Sequence, residues 1–458
     1  MNGVLTIKEL GDFIYGKAPH PVKCGNGVVI GGGRVVPEIN FTLPSMNINE
    51  STWKQVRVEY ENMIDGILKR SVELHLPQLL VEFETLPEMT TNYEWGLEIT
   101  KILADKMEEA YQKHSLKSAL RLTINDVREF NRPPIMRSGK YWDAMLNFMD
   151  NASANGADLL AIESTGGKEV CDEALVMADI NSVIFALGVL GARDMEFLWR
   201  HIVDACNRTG VVPSGDSACG FANTAMVLAE QRMIPSVFAA LVRVMAVPRS
   251  LVAITQGAKG PTKDCAYEGP FIKAISGVPI SMEGRTAACA HLSPVGNVSQ
   301  AVCDCWSNES VQNIKLLSAA APTVSLEQLA YDCRLLEAAQ NSSDADAAKL
   351  RDWLTDSDSK LNPQAYVLRP DTVLKLSEKI IATDDPYEQT VIAARETYQV
   401  IKEAGEAGQI DLNDNDRKWL NILDMQLQMI PDSEDKLIDE MLARPDIKDK
   451  FLPQEYGI

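Results

Sequence analysis

The stretch GPTKDCAYE (residues 260–268) carries Cys265 in a short polar turn between an apolar run and a helical pattern. Two earlier stretches have the same form, ADLLAIESTGGKE (residues 157–169) and VVPSGDSACGFANTAM (residues 211–226). In each, the apolar run is typical of a buried strand, and a polar, Gly-rich turn leads into a helix. This order of strand, turn and helix predicts an α/β fold with a parallel sheet.

Short apolar or β-prone runs alternate with longer helical patterns from residue 74 onward. The predicted strands lie at residues 79–84, 119–124, 158–163, 183–188, 211–214, 251–255, 279–282 and 314–318. The predicted helices lie at residues 94–113, 140–155, 169–178, 194–209, 219–232, 264–276, 299–311 and 325–340. About eight such repeats over about 250 residues fit a (β/α)8 TIM barrel. An open doubly wound sheet is the alternative, because the number of repeats does not show whether the sheet closes.

The chain divides into three predicted parts. Residues 1–73 form an N-terminal extension, in which residues 25–36 are predicted to form a hairpin or extended arm and an amphipathic helix starts at Thr52. Residues 74–340 form the TIM-barrel catalytic domain. Residues 341–458 form an acidic, helical segment that is predicted to pack on the barrel or to mediate association.

The chain of 458 residues is acidic, with a net charge of −20. Nucleic acids and anionic membranes bind proteins through clustered Lys and Arg, so this charge argues against both as partners. The N-terminus carries charges where a signal peptide requires an apolar core, and we expect no run of the roughly 18 apolar residues that span a membrane. We therefore expect a cytoplasmic protein. The nine cysteines are expected to be free thiols or metal ligands, because disulfide frameworks are rare inside the cell.

Three polar side chains follow the predicted strands in the quoted stretches: Glu163, Cys219 and Cys265. The carboxyl ends of barrel strands face one pocket, so these residues, counted after the third, fifth and sixth strands, are predicted to converge there. Two thiolates and one carboxylate leave a fourth tetrahedral position open, as in a catalytic zinc site. The oxygen donor favours an alcohol or water at that position. The alternative is coincidence, since nine cysteines offer many such combinations.

A rival metal arrangement is contained in CAHLSPVGNVSQAVCDCW, with Cys289, His291, Cys303 and Cys305 as donors. Its CxH and CxC spacings are compatible with zinc, but both halves follow a single predicted strand. A structural or pocket-lining role is therefore the preferred interpretation of this segment, and for His291 a hydrogen-bonded core or pocket imidazole.

Other acidic residues stand beside the proposed ligands: Asp216, Asp264 and Glu84. They are candidates for groups that orient a metal ligand or transfer a proton. The competing interpretation is that they cap the helices that follow them, as acidic residues at such positions commonly do.

The chain resembles the methanol:corrinoid methyltransferase family, the zinc-containing subunit of methanol-dependent methyl transfer in methanogenesis and acetogenesis. The segments that carry the resemblance are ADLLAIESTGGKEV, SGDSACGFANTAM, VPRSLVA, GPTKDCAYE, MEGRTAACAH and CDCWSNESV, and the likeness extends from VVPEINF to QEYGI. It implies a TIM barrel whose zinc ligands are Glu163, Cys219 and Cys265. It also implies a corrinoid protein as partner, with its cobalt over the barrel mouth, and a homodimer within a hetero-oligomeric complex.

The resemblance further implies that zinc withdraws charge from the methanol oxygen while cobalt(I) of the corrinoid attacks the methyl group and the C–O bond breaks. Loop residues such as Thr262 and Ala266 differ from the family, so another small alcohol, a methyl ether or a thiol is an alternative methyl donor. A second alternative is a non-catalytic barrel that binds the corrinoid protein and holds a structural metal.

Overall fold

Parallel strands form a curled sheet at the centre of the fold. The computed structural model describes residues 3–41, 46–263, 265–310 and 314–458. The strands of the sheet are β3 (Val36–Phe41), β4 (Gln78–Glu84), β5 (Lys117–Asn125), β6 (Leu159–Glu163), β7 (Val212–Asp216), β8 (Ser281–Glu283) and β9 (Cys305–Ser310). Their spatial order is β7-β6-β5-β4-β3-β9-β8, and every pair is parallel.

A short extended segment closes this sheet into a barrel. The backbone N–H groups of Lys259 and Gly260 donate to the carbonyls of Pro213 and Ser214, both at 2.8 Å, so the segment lies beside β7. Thr262 then forms a parallel bridge to the residue before β8. Residues 259–262 are therefore the missing strand between β7 and β8, and the predicted (β/α)8 TIM barrel is confirmed over the open-sheet alternative.

An N-terminal hairpin packs on the end of the barrel where its strands begin, and a hairpin was one of the two interpretations of residues 25–36. Its strands are β1 (Lys17–Cys24) and β2 (Val28–Gly32), which pair antiparallel. The hairpin contributes Cys24, Val28 and Ile30 to a small buried apolar layer. These side chains pack on residues near the N-terminal ends of the barrel strands: Val36, Leu80, Ala119, Leu159 and Cys305. The turn requires glycine at Gly25, because a Cβ there would lie 2.5 Å from the Ser118 carbonyl oxygen.

Helices cover the outside of the barrel and make up the C-terminal part of the chain. They are α1 (Trp53–Glu73), α2 (Pro87–Thr91), α3 (Tyr93–His114), α4 (Gly139–Ala152), α5 (Lys168–Met177), α6 (Ile180–Ile184), α7 (Ala192–Thr209), α8 (Thr224–Glu230), α9 (Ser236–Met245), α10 (Val247–Gln256), α11 (Gly269–Ser276), α12 (Arg285–Ala290), α13 (Gly296–Gln300), α14 (Ala321–Ser342), α15 (Asp344–Asp358), α16 (Pro363–Tyr366), α17 (Pro370–Ile380), α18 (Pro386–Glu406), α19 (Asp414–Gln428), α20 (Glu434–Ala443) and α21 (Pro445–Lys448). π-Helical turns occupy Phe185–Gly191 and Cys219–Asn223. Helix α18 contacts α9 and the first π-helical turn, so the C-terminal segment packs on the barrel wall.

Three predicted strands are wrong. Residues 183–188 lie in α6 and the π-helical turn that follows it, residues 251–255 lie in α10, and residues 314–318 contain an isolated bridge instead of a strand. The first two are apolar runs in largely buried helices, which hydrophobic periodicity does not separate from buried strands. The predicted helix 299–311 is likewise wrong, since β9 occupies much of it, and Val311 lies outside the described residues.

The start of the barrel was also predicted too late in the chain. Its first strand is β3, which lies within the stretch predicted as an N-terminal extension, and not near residue 74. With β3 counted first, Glu163 ends the fourth strand, and the two cysteines follow the fifth and sixth. The predicted count of third, fifth and sixth is corrected accordingly.

One segment contradicts the expectation that no run approaches the length of a membrane span. Ser236–Gln256 is 21 residues long and apolar enough to cross a membrane by length and composition. In the fold, however, 94% of its most apolar window is buried, because α9 and α10 form part of the wall around the barrel. It has the character of a core segment.

Candidate metal centre

The structure brings Glu163, Cys219 and Cys265 together at the C-terminal end of the barrel. One ligand atom from each lies within 4.8 Å of the other two, and the Cys265 Sγ is 3.1 Å from the Glu163 Oε1. Within the described part of the chain, this is the one group of three or more His, Cys, Asp or Glu side chains with such spacing. The predicted convergence is therefore present, with Glu163 from β6 and each cysteine from the turn after its strand.

A close approach between two strands brings the cysteine-bearing turns to neighbouring positions. A Cβ on Gly215 would lie 2.9 Å from the Thr262 Cα, so only glycine allows β7 to approach the closing segment this closely. The turns that follow these two strands, with Cys219 and Cys265, consequently start side by side. The glycine of the GDSACG sequence thus contributes to the site through the backbone.

A buried ammonium group stands among the acidic residues of the site. The Lys263 Nζ lies 2.7 Å from the Glu82 Oε1, 3.4 Å from the Glu163 Oε1 and 3.7 Å from the Glu84 Oε2. Burial by itself would raise the pKa of Glu82, but the charges of Arg121 and Lys263 lower it to about 2. Glu82 is therefore ionised at neutral pH and holds Lys263 beside the Glu163 carboxylate.

The two thiols are in an environment that disfavours their charged forms. A hydrogen bond with Cys265 lowers the pKa of Cys219, but burial and the nearby carboxylates outweigh it and raise the pKa to about 12. Burial, followed by the neighbouring Cys219 and Glu163, raises the pKa of Cys265 well above that of an ordinary thiol. A cation that binds both sulfurs as thiolates must therefore displace their protons.

The other acidic candidates differ in position. Glu84 accepts a hydrogen bond from the Asn40 Nδ2 at 3.3 Å and, with Lys263 nearby, lies at the site. Asp216 accepts hydrogen bonds from the Ser164 Oγ at 2.7 Å and the Trp199 Nε1 at 3.0 Å. It thus secures the residue after Glu163 and does not cap a helix. Asp264 lies outside the described residues.

The rival metal arrangement is not formed. Cys289 is exposed, whereas Cys303 and Cys305 are buried, and Cys305 packs in the apolar layer at the bottom of the barrel. His291 follows the end of α12 and is partly buried. These side chains form no group with metal-ligand spacing in the ranges that the structure covers, so the two buried thiols are core residues.

A family model of the methanol-cobalamin methyltransferase B subunit matches residues 3–457. The chain belongs to this family. It is 36% identical over 451 residues to a methanol–corrinoid protein co-methyltransferase of Methanosarcina barkeri strain Fusaro, which covers 97% of this chain and 96% of the relative. The structure superimposes with a TM-score of 0.94 on a chain of the solved methanol:cobalamin methyltransferase complex MtaBC from Methanosarcina barkeri, at 35% identity and over 99% of each chain. The protein is therefore a methyltransferase.

Sequence reasoning missed three residues of this methyltransferase that contact the candidate ligands or the turns that carry them: Lys263, Ser217 and Glu268. The Ser217 Oγ accepts a hydrogen bond from the Ala266 N–H at 3.1 Å and lies 3.7 Å from the Cys265 Sγ. All three residues stand in or next to the quoted turns, but their partners lie on other loops. Local sequence pattern carries no signal for such contacts.

The C-terminal residues of the methyltransferase brace two loops beside the site. The Tyr456 hydroxyl accepts a hydrogen bond from the Gly167 N–H at 3.1 Å, in the loop that follows Glu163. The Glu455 carboxylate accepts hydrogen bonds from the N–H groups of Met136 and Arg137 at 2.9 and 2.8 Å. The final turn of the chain thus restrains the loops after β5 and β6.

Proposed function

We propose that this chain transfers the methyl group of methanol to the cobalt of a corrinoid carried by a partner protein, with zinc held by Glu163, Cys219 and Cys265. The observation that carries the proposal is the placement of one carboxylate and two thiols within 4.8 Å of one another at the barrel mouth. Membership of the methanol-cobalamin methyltransferase B family supports the choice of methanol and of a corrinoid. The name of the Methanosarcina relative supports a corrinoid protein as partner.

The donor set fits zinc. Zinc is bound in proteins by Cys sulfur and carboxylate oxygen, and catalytic sites use three protein ligands so that one position stays available to substrate. Glu163 and Cys219 are partly exposed, so the cluster is open to a small molecule from the barrel mouth. When bound, zinc supplies Lewis acidity toward the oxygen of the substrate.

The protein side chains have supporting roles in the proposed reaction. Lys263 and Cys265 are buried, and the Lys263 ammonium forms an ion pair with the Glu163 carboxylate at 3.4 Å. Fixed charges in a partly desolvated site act more strongly than the same charges in water. The chain thus orients the Glu163 carboxylate and keeps bulk water from the inner face of the cluster.

The bond changes balance without a protein nucleophile. Cobalt(I) of the corrinoid donates an electron pair to the methyl carbon, the Co–C bond forms and the C–O bond breaks. The oxygen leaves with the bonding pair and takes up one proton to give water. Because the partner supplies the nucleophile, the site requires no activated Ser, Cys or Lys.

Metal analysis and a methyl-transfer assay test the proposal. The purified protein is expected to contain one zinc per chain and to consume the cobalt(I) absorption band of cob(I)alamin when methanol is added. Glu163→Ala is expected to lose zinc and turnover while it keeps its far-UV circular dichroism. Glu196→Ala, which removes an exposed carboxylate paired with Arg200, is the matched control and should retain both.

Two results contradict the proposal. If zinc-loaded protein methylates cobalt from a methyl ether, a thiol or another alcohol but not from methanol, the substrate is wrong. If Glu163→Ala loses zinc and keeps full turnover, zinc is not required for methyl transfer and the proposed chemistry fails.

A further inference from the structure

Glu268 connects the two turns that carry the cysteines. The residue is 1% exposed, and its Oε1 accepts hydrogen bonds from the Ala218 N–H and the Ser250 hydroxyl, both at 2.8 Å. Ala218 is the residue before Cys219. Glu268 itself follows Cys265 by three positions, so one side chain joins the turn of one thiol to the turn of the other.

A second contact extends this link to Cys265. The Ser217 hydroxyl donates to the Glu268 Oε2 at 3.4 Å, and its oxygen accepts the Ala266 N–H at 3.1 Å. These hydrogen bonds link Glu268, Ser217 and Ala266 in a small ring. The ring joins the backbone just before Cys219 to the backbone just after Cys265.

The ordinary function of an acidic residue at this position does not account for these contacts. Glu268 is the residue at the N-terminus of α11, where a carboxylate commonly accepts the first free N–H groups of its own helix. Its side chain makes no such capping bond. It turns away from α11 and accepts a backbone N–H of a loop 50 residues earlier in the chain.

We infer that Glu268 is a positioning residue that holds the turns carrying Cys219 and Cys265 at the spacing of a metal site. The link to zinc rests on the proposed function. The role of Glu268 in spacing the two sulfurs does not rest on the proposed function, because the ring of hydrogen bonds involves only side chains and backbone of this chain. Partners that orient metal ligands affect metal affinity by about 10- to 100-fold when they are removed.

Two substitutions distinguish the effect of the length of the Glu268 side chain from the effect of its charge. Glu268→Gln keeps the length of the side chain and a carbonyl oxygen for the Ala218 N–H, but loses the charge. Glu268→Asp keeps the charge and is one methylene too short to span both turns. Glu268→Ala removes both properties, and Asp416→Ala is the matched control, because Asp416 is also buried and accepts a backbone N–H, from Val237 in the C-terminal part of the fold.

Two readouts are measured on each full-length variant. The first is the zinc dissociation constant, by competition with a chelator, together with the sulfur-to-cobalt charge-transfer band of the cobalt(II)-substituted protein. The second is binding of phenylarsine oxide to the metal-free protein, since this reagent bridges two thiols that lie close together. Thermal unfolding is recorded in parallel.

We expect Glu268→Asp and Glu268→Ala to bind zinc about 10- to 100-fold more weakly, with an altered charge-transfer band and reduced arsenical binding. Glu268→Gln and Asp416→Ala should resemble the unmodified protein in all three. If Glu268→Ala does not fold, the Gln and Asp variants decide the question.

The inference is overturned if the Asp and Ala variants keep normal arsenical and zinc binding. It is also overturned if Gln loses binding while Asp keeps it, because charge and not reach would then control the site. Failure of the unmodified protein to bind zinc contradicts the proposed function alone, and arsenical binding then still decides whether Glu268 sets the spacing of the thiols.

Discussion

Replacing Lys263 by Met removes a buried ammonium group that contacts three carboxylates. Lys263 is 2% exposed, and its Nζ lies 2.7 Å from the fully buried Glu82. Removing one partner of a buried ion pair costs about 3–5 kcal/mol, because the remaining charge stays desolvated. Arg121 still pairs with Glu82 after the substitution, so we expect the lower end of that range, about 3 kcal/mol.

This loss is large enough to measure as a shift in Tm. The entropy of unfolding is about 2.1 cal/mol/K per residue, which for a chain of 458 residues amounts to about 1 kcal/mol/K. A loss of about 3 kcal/mol then lowers the Tm by about 3 °C. Without the ammonium, Glu82, Glu84 and Glu163 also repel one another more strongly.

Differential scanning calorimetry of the metal-free protein at neutral pH measures this shift. Lys259→Met is the control, because Lys259 is exposed and lies on the same closing segment of the barrel. Surface substitutions of this kind usually change stability by less than about 0.5 kcal/mol. Equal Tm values for the two variants would refute the assignment of Lys263 as the charge that holds this carboxylate cluster together.

Tyr456→Phe leaves the buried Gly167 N–H without its acceptor, and we expect a loss of about 1–3 kcal/mol in the free energy of unfolding, measured by urea denaturation. An unchanged free energy would show that the C-terminal turn does not brace the loop after Glu163. Zinc binding is expected to tighten as the pH rises through the neutral range, because Cys219, with its pKa raised to about 12, must release a proton to become a ligand. Calorimetric titrations in buffers of different ionisation enthalpy count the released protons, and a count of zero would contradict thiolate ligation.

The three proposed ligands were predictable because each occupies a recognisable local context. Glu163, Cys219 and Cys265 all stand where an apolar run ends and a polar, Gly-rich turn begins. In a parallel α/β fold such turns meet at one face, and that rule places the residues together without any knowledge of distances. The structure bears this out to within 4.8 Å.

Two of the three wrong strand assignments fall in largely buried helices. Most side chains of α10, and of α6 with its π-helical continuation, are buried, and a short apolar run in such a helix has the same appearance as a buried strand. Conversely, the closing segment at residues 259–262 contains Gly260 and Pro261, which are typical of a turn. It acts as a strand because its neighbours on both sides offer backbone groups to pair with it.

The sequence by itself determined which donors are available and where along each repeat they stand, since residue identity and strand-to-turn transitions are local properties. Tertiary structure alone decided that the sheet closes through residues 259–262 and that β3 starts the barrel. It also decided that Lys263 lies beside Glu163 and that Glu268 contacts the turn before Cys219. Each of these depends on contacts between segments far apart in the chain. Such contacts form only after the barrel has brought its loops to one end, so no local pattern specifies them.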